Sequence, residues 1–188
     1  DNMAATLRYD GLSDTEDNGE INLEGLLMRD SSDTLAVKVG PRNSFMKIGG
    51  EIWDLDDSDI SIRGDRVSIN SFAIANGDQR ILIDGGLARN SADTLDIRID
   101  DLHLGILDAL LPENYGFEGI ANGKAYIRSP FGEELGLLMN AGCESLKIGG
   151  AEVGSVKMAG KWDDASDKLG VSLSNYLEGR EALYAHLS

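Results

Sequence analysis

Apolar residues recur at every second position along much of this chain, and they do so within a unit that is repeated. Residues 21–39 match residues 81–99 without a gap: Ile21 with Ile81, Leu23 with Ile83, Gly25 with Gly85, Leu27 with Leu87, Leu35 with Leu95, Val37 with Ile97 and Val39 with Ile99. A third copy, one residue shorter at the turn, covers 156–173: Val156, Met158, Gly160 and Trp162, then Leu169, Val171 and Leu173. A repeated unit constrains architecture more firmly than residue propensities do. Period-two alternation sends the apolar members of an arm to one face of a strand and the charged members, such as Asp96, Arg98 and Asp100, to the other. The segments between the arms, 29–33 and 89–93, are rich in Ser, Asn and Asp, whose side chains bond their own backbone in turns. Each unit therefore reads as a β-hairpin, at about 21–39, 81–99 and 156–173. The glycine inside each first arm is expected to mark a bulge or sharp curvature, because glycine otherwise weakens a strand.

Further short strands are expected at 60–62, 67–74, 124–127, 135–139 and 145–148, punctuated by Gly-Gly steps at 49–50, 85–86 and 149–150. One short helix is expected near 104–111, where Leu104, Leu107, Ala109, Leu110 and Leu111 precede Pro112; it reads as a cap or plug on a sheet. The 23 glycines against 3 prolines agree with many turns and close backbone approaches in regular β-structure. With no low-complexity run, linker or composition break, residues 1–188 read as one mainly all-β antiparallel unit.

Charge narrows the partners. Lys plus Arg number 17 against 33 Asp plus Glu, a formal charge of −16, so nucleic acid and anionic headgroups are repelled over most of the surface. The hydrophobic share of 41% is that of a globular chain rather than a disordered one. No stretch approaches the ~20 apolar residues of a membrane helix, and residues 1–7 lack the basic head and apolar run of a signal peptide, so the sequence reads as a soluble piece. The closing residues 184–188 stop inside an alternating pattern, which suggests an internal slice of a longer protein.

Motifs for catalysis are absent: there is no Gly-x-Ser-x-Gly elbow, no phosphate-cradling loop followed by Lys and no His-Glu-x-x-His pair. With Cys143 as the sole cysteine and His103 and His186 the only histidines, neither an internal disulfide nor a Cys/His zinc cluster can be assembled. Cys143 and His103 are a conceivable nucleophilic pair. However, Cys143 follows Ala141 and Gly142 ahead of a strand, where a small half-buried thiol is the simpler reading. Asp54, Asp56, Asp57 and Asp59 raise calcium or glycosidase chemistry, but Asp59 stands where a calcium loop needs Gly and no bidentate Glu follows. Asp14–Gly19 has the Gly and ends on Gly25 instead of Glu. Neither cofactor nor metal is expected, and the chain does not read as an enzyme. An extracellular β-sandwich adhesin or glycan-binding module with calcium in the acidic loops is the alternative reading.

The apolar face itself then carries the function. Such a face must be covered by a second sheet, by folding over on itself, or by a ligand. Burying an acyl chain is favourable by ~0.8 kcal/mol per methylene, so a groove a few strands long can hold a lipid tail without a specific site. The residues expected to line it are Ile81, Ile83, Leu95, Ile97, Ile99, Leu146, Ile148, Val156 and Met158.

The run Ile52-Trp53 to Arg63, then Val67–Ile74, Asp78–Gly85, Ala92–Ile97, the 102–111 segment, Phe117–Ala125 and Val153–Asp163 resembles the repetitive periplasmic region of TamB-like translocation and assembly proteins, over roughly residues 20–174. The resemblance implies an internal periplasmic slice of an inner-membrane-anchored protein of a Gram-negative bacterium. Members of the wider AsmA-like group are expected to form curved sheets folded like a taco around an apolar groove. The implied role is outer-membrane biogenesis, protein translocation or secretion, or phospholipid transport between membranes. Phospholipid or other acyl-chain cargo is the implied partner, with an outer-membrane barrel assembly factor engaged through another part of the parent chain. The resemblance brings no catalytic residues.

Overall fold

In the computed structural model, which describes residues 1–10, 18–29, 34–88, 93–129, 135–163, 166–177 and 180–187, alternation has produced a single large antiparallel sheet. Its strands are β1 (Asn2–Asp10), β2 (Asn18–Arg29), β3 (Leu35–Pro41), β4 (Ser44–Ile48), β5 (Glu51–Leu55), β6 (Asp59–Arg63), β7 (Arg66–Asn76), β8 (Gln79–Leu87), β9 (Thr94–His103), β10 (Phe117–Arg128), β11 (Gly136–Ile148), β12 (Ala151–Asp163), β13 (Lys168–Leu177) and β14 (Arg180–Leu187). A five-residue helix, α1 (Ile106–Leu110), lies within the expected 104–111 and joins β9 to β10.

Pairing is consecutive from end to end. β2 pairs with both β3 and β4 along one edge, and β7 with both β6 and β5. β3 pairs with β6, and β4 with β5. The apparent fork is thus two long strands, 35–48 and 51–63, each broken once, and the fourteen strands fill twelve columns of an up-and-down meander. The segments expected at 135–139 and 145–148 are one strand, β11, and the Gly-Gly step at 85–86 lies inside β8 rather than in a turn. The steps at 49–50 and 149–150 are turns.

Every second column from the third to the ninth carries the same interruption. Two polar residues stand where strict alternation has one, in Pro41-Arg42-Asn43-Ser44, Ile69-Asn70-Ser71-Phe72, Ile99-Asp100-Asp101-Leu102 and Cys143-Glu144-Ser145-Leu146. The second of the pair is left-handed: Asn43 at φ 49°, Ser71 at 54°, Asp101 at 50° and Ser145 at 52°. Asn, Asp and Ser tolerate this conformation through short polar side chains that bond locally. In three cases the freed backbone N–H donates to the next column: Asn43 N to Asp57 Oδ1 (3.1 Å), Ser71 N to Asp84 Oδ1 (2.7 Å) and Asp101 N to Asn122 Oδ1 (2.9 Å). Each bulge restores the apolar phase, so that Ile69 and Phe72 both face the same side, and each bends its strand.

The sheet is accordingly curved. Flat columns ~4.8 Å apart would leave the third and seventh separated by about 19 Å, yet α1, which follows β9 in the seventh column, packs on β4 in the third, with Ala109 against Gly49. Asp108 holds the return of the chain by accepting N–H bonds from Tyr115, Gly116 and Phe117. At the same end Gln79, almost fully buried, accepts the His103 N–H and reaches Asn76 and Glu51.

Candidate functional site: the apolar face of the sheet

Register decides which side chains share a face, because residues paired across an antiparallel ladder point the same way. Ile81 pairs with Ile99, Ile83 with Ile97 and Gly85 with Leu95. Ile97 continues through Ala125 to Met139 and Gly160. Ala141 pairs with Met158, Cys143 with Val156, Leu146 with Gly154, and Phe117 with Ile148. All nine residues named from the sequence therefore lie on one face. It extends through Phe72, Ile74, Ile60 and Val39 to Leu23 and Ala5 on one side, and through Leu173 and Ala185 on the other.

Burial distinguishes this face from an ordinary core. Leu95 is the only one of the nine that is buried, at 8% exposure; Ile148 is 40% exposed and the other seven are half-buried. Full burial on this face is confined to Trp53 (1% exposed), Leu55, Leu95 and Cys143 among the described large apolar and thiol side chains. Towards the sheet edges the face opens, and Leu187 on β14 reaches 70% exposure. The chain exposes 12006 Å² in all, whereas a compact monomer of its 20.2 kDa exposes about 8,800 Å². At one end of the face stand α1 and the Gln79 cluster; residues 30–33, 89–92 and 130–134 lie outside the described residues.

The remaining sequence candidates are dispersed. Cys143 pairs with Ala121 on the apolar face, whereas His103 pairs with Ile120 on the other, so the sheet separates thiol from imidazole. Burial first, and Glu144 second, push the Cys143 thiol up from its ordinary value, away from the thiolate a nucleophile needs. The acidic run 54–59 is parcelled out among different partners. Asp56 Oδ2 accepts from Arg80 Nη2 at 2.7 Å, and Asp57 accepts the Asn43 N–H. Asp59 takes Lys38 and Arg42, each at 2.8 Å, and their hydrogen bonds, Lys38 first, hold its carboxyl below the usual range. Among the described residues no group of three His, Cys, Asp or Glu side chains converges as a metal site. The acidic stretch 14–19 falls partly outside the described residues.

The glycines of the first arms do not mark bulges of their strands: the ladders run through Gly25 and Gly160 without a shift, and the bulge opposite Gly85 lies in β7. Sequence reasoning missed the bulges at the doubled polar residues, and Trp53 as the largest fully buried side chain. The doubled polar residues that break the alternation are the signal for the bulges. Nothing in the local pattern around Trp53 separates it from its half-buried neighbours on the same face.

Comparison with known proteins finds no matching family model, no matching curated protein and no matching solved structure. Among the described residues no helix is long and apolar enough to cross a membrane.

Proposed function

We propose that this chain is a non-enzymatic segment of a TamB-like envelope protein of the periplasm, and that it accommodates the acyl chains of phospholipid, or another apolar cargo, along the apolar face of its curved sheet. The observation that carries this reading is the half-burial of Ile81, Ile83, Ile97, Ile99, Val156 and Met158 on one continuous face. A side chain facing a closed core is buried, and a contiguous apolar surface of this extent left open on a protein marks a place where something apolar binds. The taco-like groove expected for the family would be this face, with α1 and the Gln79 cluster at one of its ends. The family itself rests on the order of the motifs between residues 20 and 174, and a role in outer-membrane biogenesis or secretion follows from it. The calcium-dependent adhesin draws less support, since Asp56, Asp57 and Asp59 are already engaged by Arg80, Asn43, Lys38 and Arg42.

A photo-crosslinking residue at Ile97, and separately at Arg98 on the opposite face, tests the reading in cells producing the full-length protein. Mass spectrometry is expected to find lipid adducts at position 97 and none at 98. Adducts at neither position, or equally at both, would overturn it.

A further inference from the structure

The apolar face is continuous across the sheet, but it is not equally open along its length. Trp53 and Leu55 in the fourth column are buried, whereas Ile99, Val156 and Met158, from the seventh column onward, are half-buried. Across the enclosed part runs segment 104–116, which leaves the end of β9 in the seventh column and reaches back to β4 in the third. The 77–78 turn between β7 and β8 stands between these two points, at the same end of the sheet. Cargo moving along the face from the open part therefore meets this segment before it reaches Ile74, on β7, three residues from that turn.

The segment is held differently at its two attachments. Beside its own columns it is a small braced unit: the Leu104 N–H donates to the Gly119 carbonyl (2.9 Å) and the Gly149 N–H to the Gly116 carbonyl (3.1 Å). Asp108 ties α1 to the return of the chain, Oδ1 accepting from the Tyr115 and Gly116 N–H groups at 2.9 and 3.1 Å and Oδ2 from the Phe117 N–H at 2.9 Å. At the far attachment small residues meet. Gly49 leaves room for Ala109, whose Cβ would lie 3.0 Å from a Cβ at position 49. None of the five helix residues is buried, and Leu110 and Leu111 are 61% and 41% exposed. A fixed cap would be expected to seat its leucines on the sheet; here an alanine makes the contact. Buried apolar contacts are what resist local opening, and an Ala–Gly contact removes little apolar area from water. Lifting α1 off β4 therefore costs little, while Asp108 keeps the lifted segment intact. Gly105 precedes α1 and Gly116, at φ 65°, follows it, so backbone change at the base of the unit falls on permissive residues.

We infer that segment 104–116 is a hinged flap on the apolar face, seated on Gly49 when closed, and that it lifts to admit acyl chains to the face around Ile74. The inference rests on the reading of this face as a cargo surface and adds a control over how far along it cargo passes.

A reversible lock tests it in cells producing the full-length protein. In a Cys143→Ala background, Gly49→Cys combined with Ala109→Cys brings two Cβ atoms to within a few tenths of an ångström of the ~3.5–4.5 Å that a disulfide spans. A photo-crosslinking residue is placed at Ile74, or separately at Ile97, and lipid adducts are measured by mass spectrometry before and after dithiothreitol. Adducts at 74 are expected to fall at least tenfold in the oxidised double variant, to return on reduction and to persist in each single-cysteine variant, with adducts at 97 unchanged throughout. Undiminished adducts at 74 in the oxidised double variant, or labelling at 97 with none at 74 in any form, would overturn the flap and leave the cargo reading standing. Absence of adducts at 97 in the protein without the new cysteines would overturn that reading, and the flap with it. Should the disulfide not form, spin labels at Ile52 and Leu110, both exposed, decide the question in the protein without the lock. A second, longer distance that gains population on adding palmitate supports the flap, and a single unchanged distance overturns it.

Discussion

The broken columns of the N-terminal part and the long unbroken strands that follow use the same alternation to different ends. Between β3 and β7 the breaks at 42–43 and 56–58 bring backbone close to backbone: Gly40 is required because a Cβ there would overlap the Ser58 carbonyl, which also accepts from the Arg42 guanidinium. This region contains Trp53, Leu55, Ala73, Ser44 and Ser58, all buried, and the Lys38–Asp59–Arg42 and Arg80–Asp56 ion pairs on the charged face. It also tolerates two polar atoms without partners among the described residues, Trp53 Nε1 and Ser58 Oγ. From β9 to β14 the ladders are longer, but the side chains on the apolar face are mostly half-buried. Backbone hydrogen bonding can therefore be extensive where side-chain burial is not. The first region acts as an anchor with a conventional core, and the second is a ladder held mainly by neighbouring strands.

The largest effect that separates the two regions is a truncation of the anchor. Trp53→Ala should cost about 3–5 kcal/mol in urea unfolding, as a buried aromatic does, whereas Met158→Ala on the half-buried part of the face should cost clearly less. Equal losses would make the second region as much a core as the first.

A smaller effect sharpens the account of the long strands. Gly85 sits at φ 111° beside the Thr94 carbonyl, which a Cβ would overlap, while Gly50 sits at φ 85° with open space around it. Gly85→Ala is expected to lower stability by about 1–3 kcal/mol through strain, and Gly50→Ala by about 1 kcal/mol or less. Thermal melts of the two variants check the difference, and a reversal of the order would remove close approach as the reason for glycine at 85.

The smallest effect belongs to the ion pairs of the anchor. The Asp59 carboxyl is held down in the folded state by Lys38 and Arg42. Its contribution is therefore fully present above the unfolded value near 3.9 and is lost as pH falls through the lower folded value. For a partly exposed pair this amounts to at most about 1 kcal/mol. Asp59→Asn should lower stability at pH 7 by that amount and converge with the unsubstituted protein below about pH 3. Unfolding curves that stay parallel down to pH 2 would show that the pairing does not contribute.

Much of the fold is legible in the residues. Alternation marks the hairpins around 21–39, 81–99 and 156–173, and the structure places all nine predicted apolar residues on one face. What the repeat does not transmit is register. Gly25 pairs with Val39, Gly85 with Leu95 and Gly160 with Val171, so the equivalent glycine meets the third, first and second apolar residue of the return arm. The Gly-Gly step at 85–86 misleads for a related reason: its backbone freedom serves a close approach within a strand rather than a turn.

Facing is a local property, since successive side chains of a strand alternate whatever the partner strand does, and the sequence alone therefore determines which residues are on the apolar side. A slip of two or four residues leaves every side chain on its own face. The repeat can keep its pattern while its pairing drifts, and only the assembled ladders select among those registers. Burial likewise belongs to the tertiary structure. Trp53 and Met158 share a face and an alternating pattern, and only the curvature of the sheet, the breaks in its early columns and the seat of α1 decide that one is enclosed while the other stays half-open.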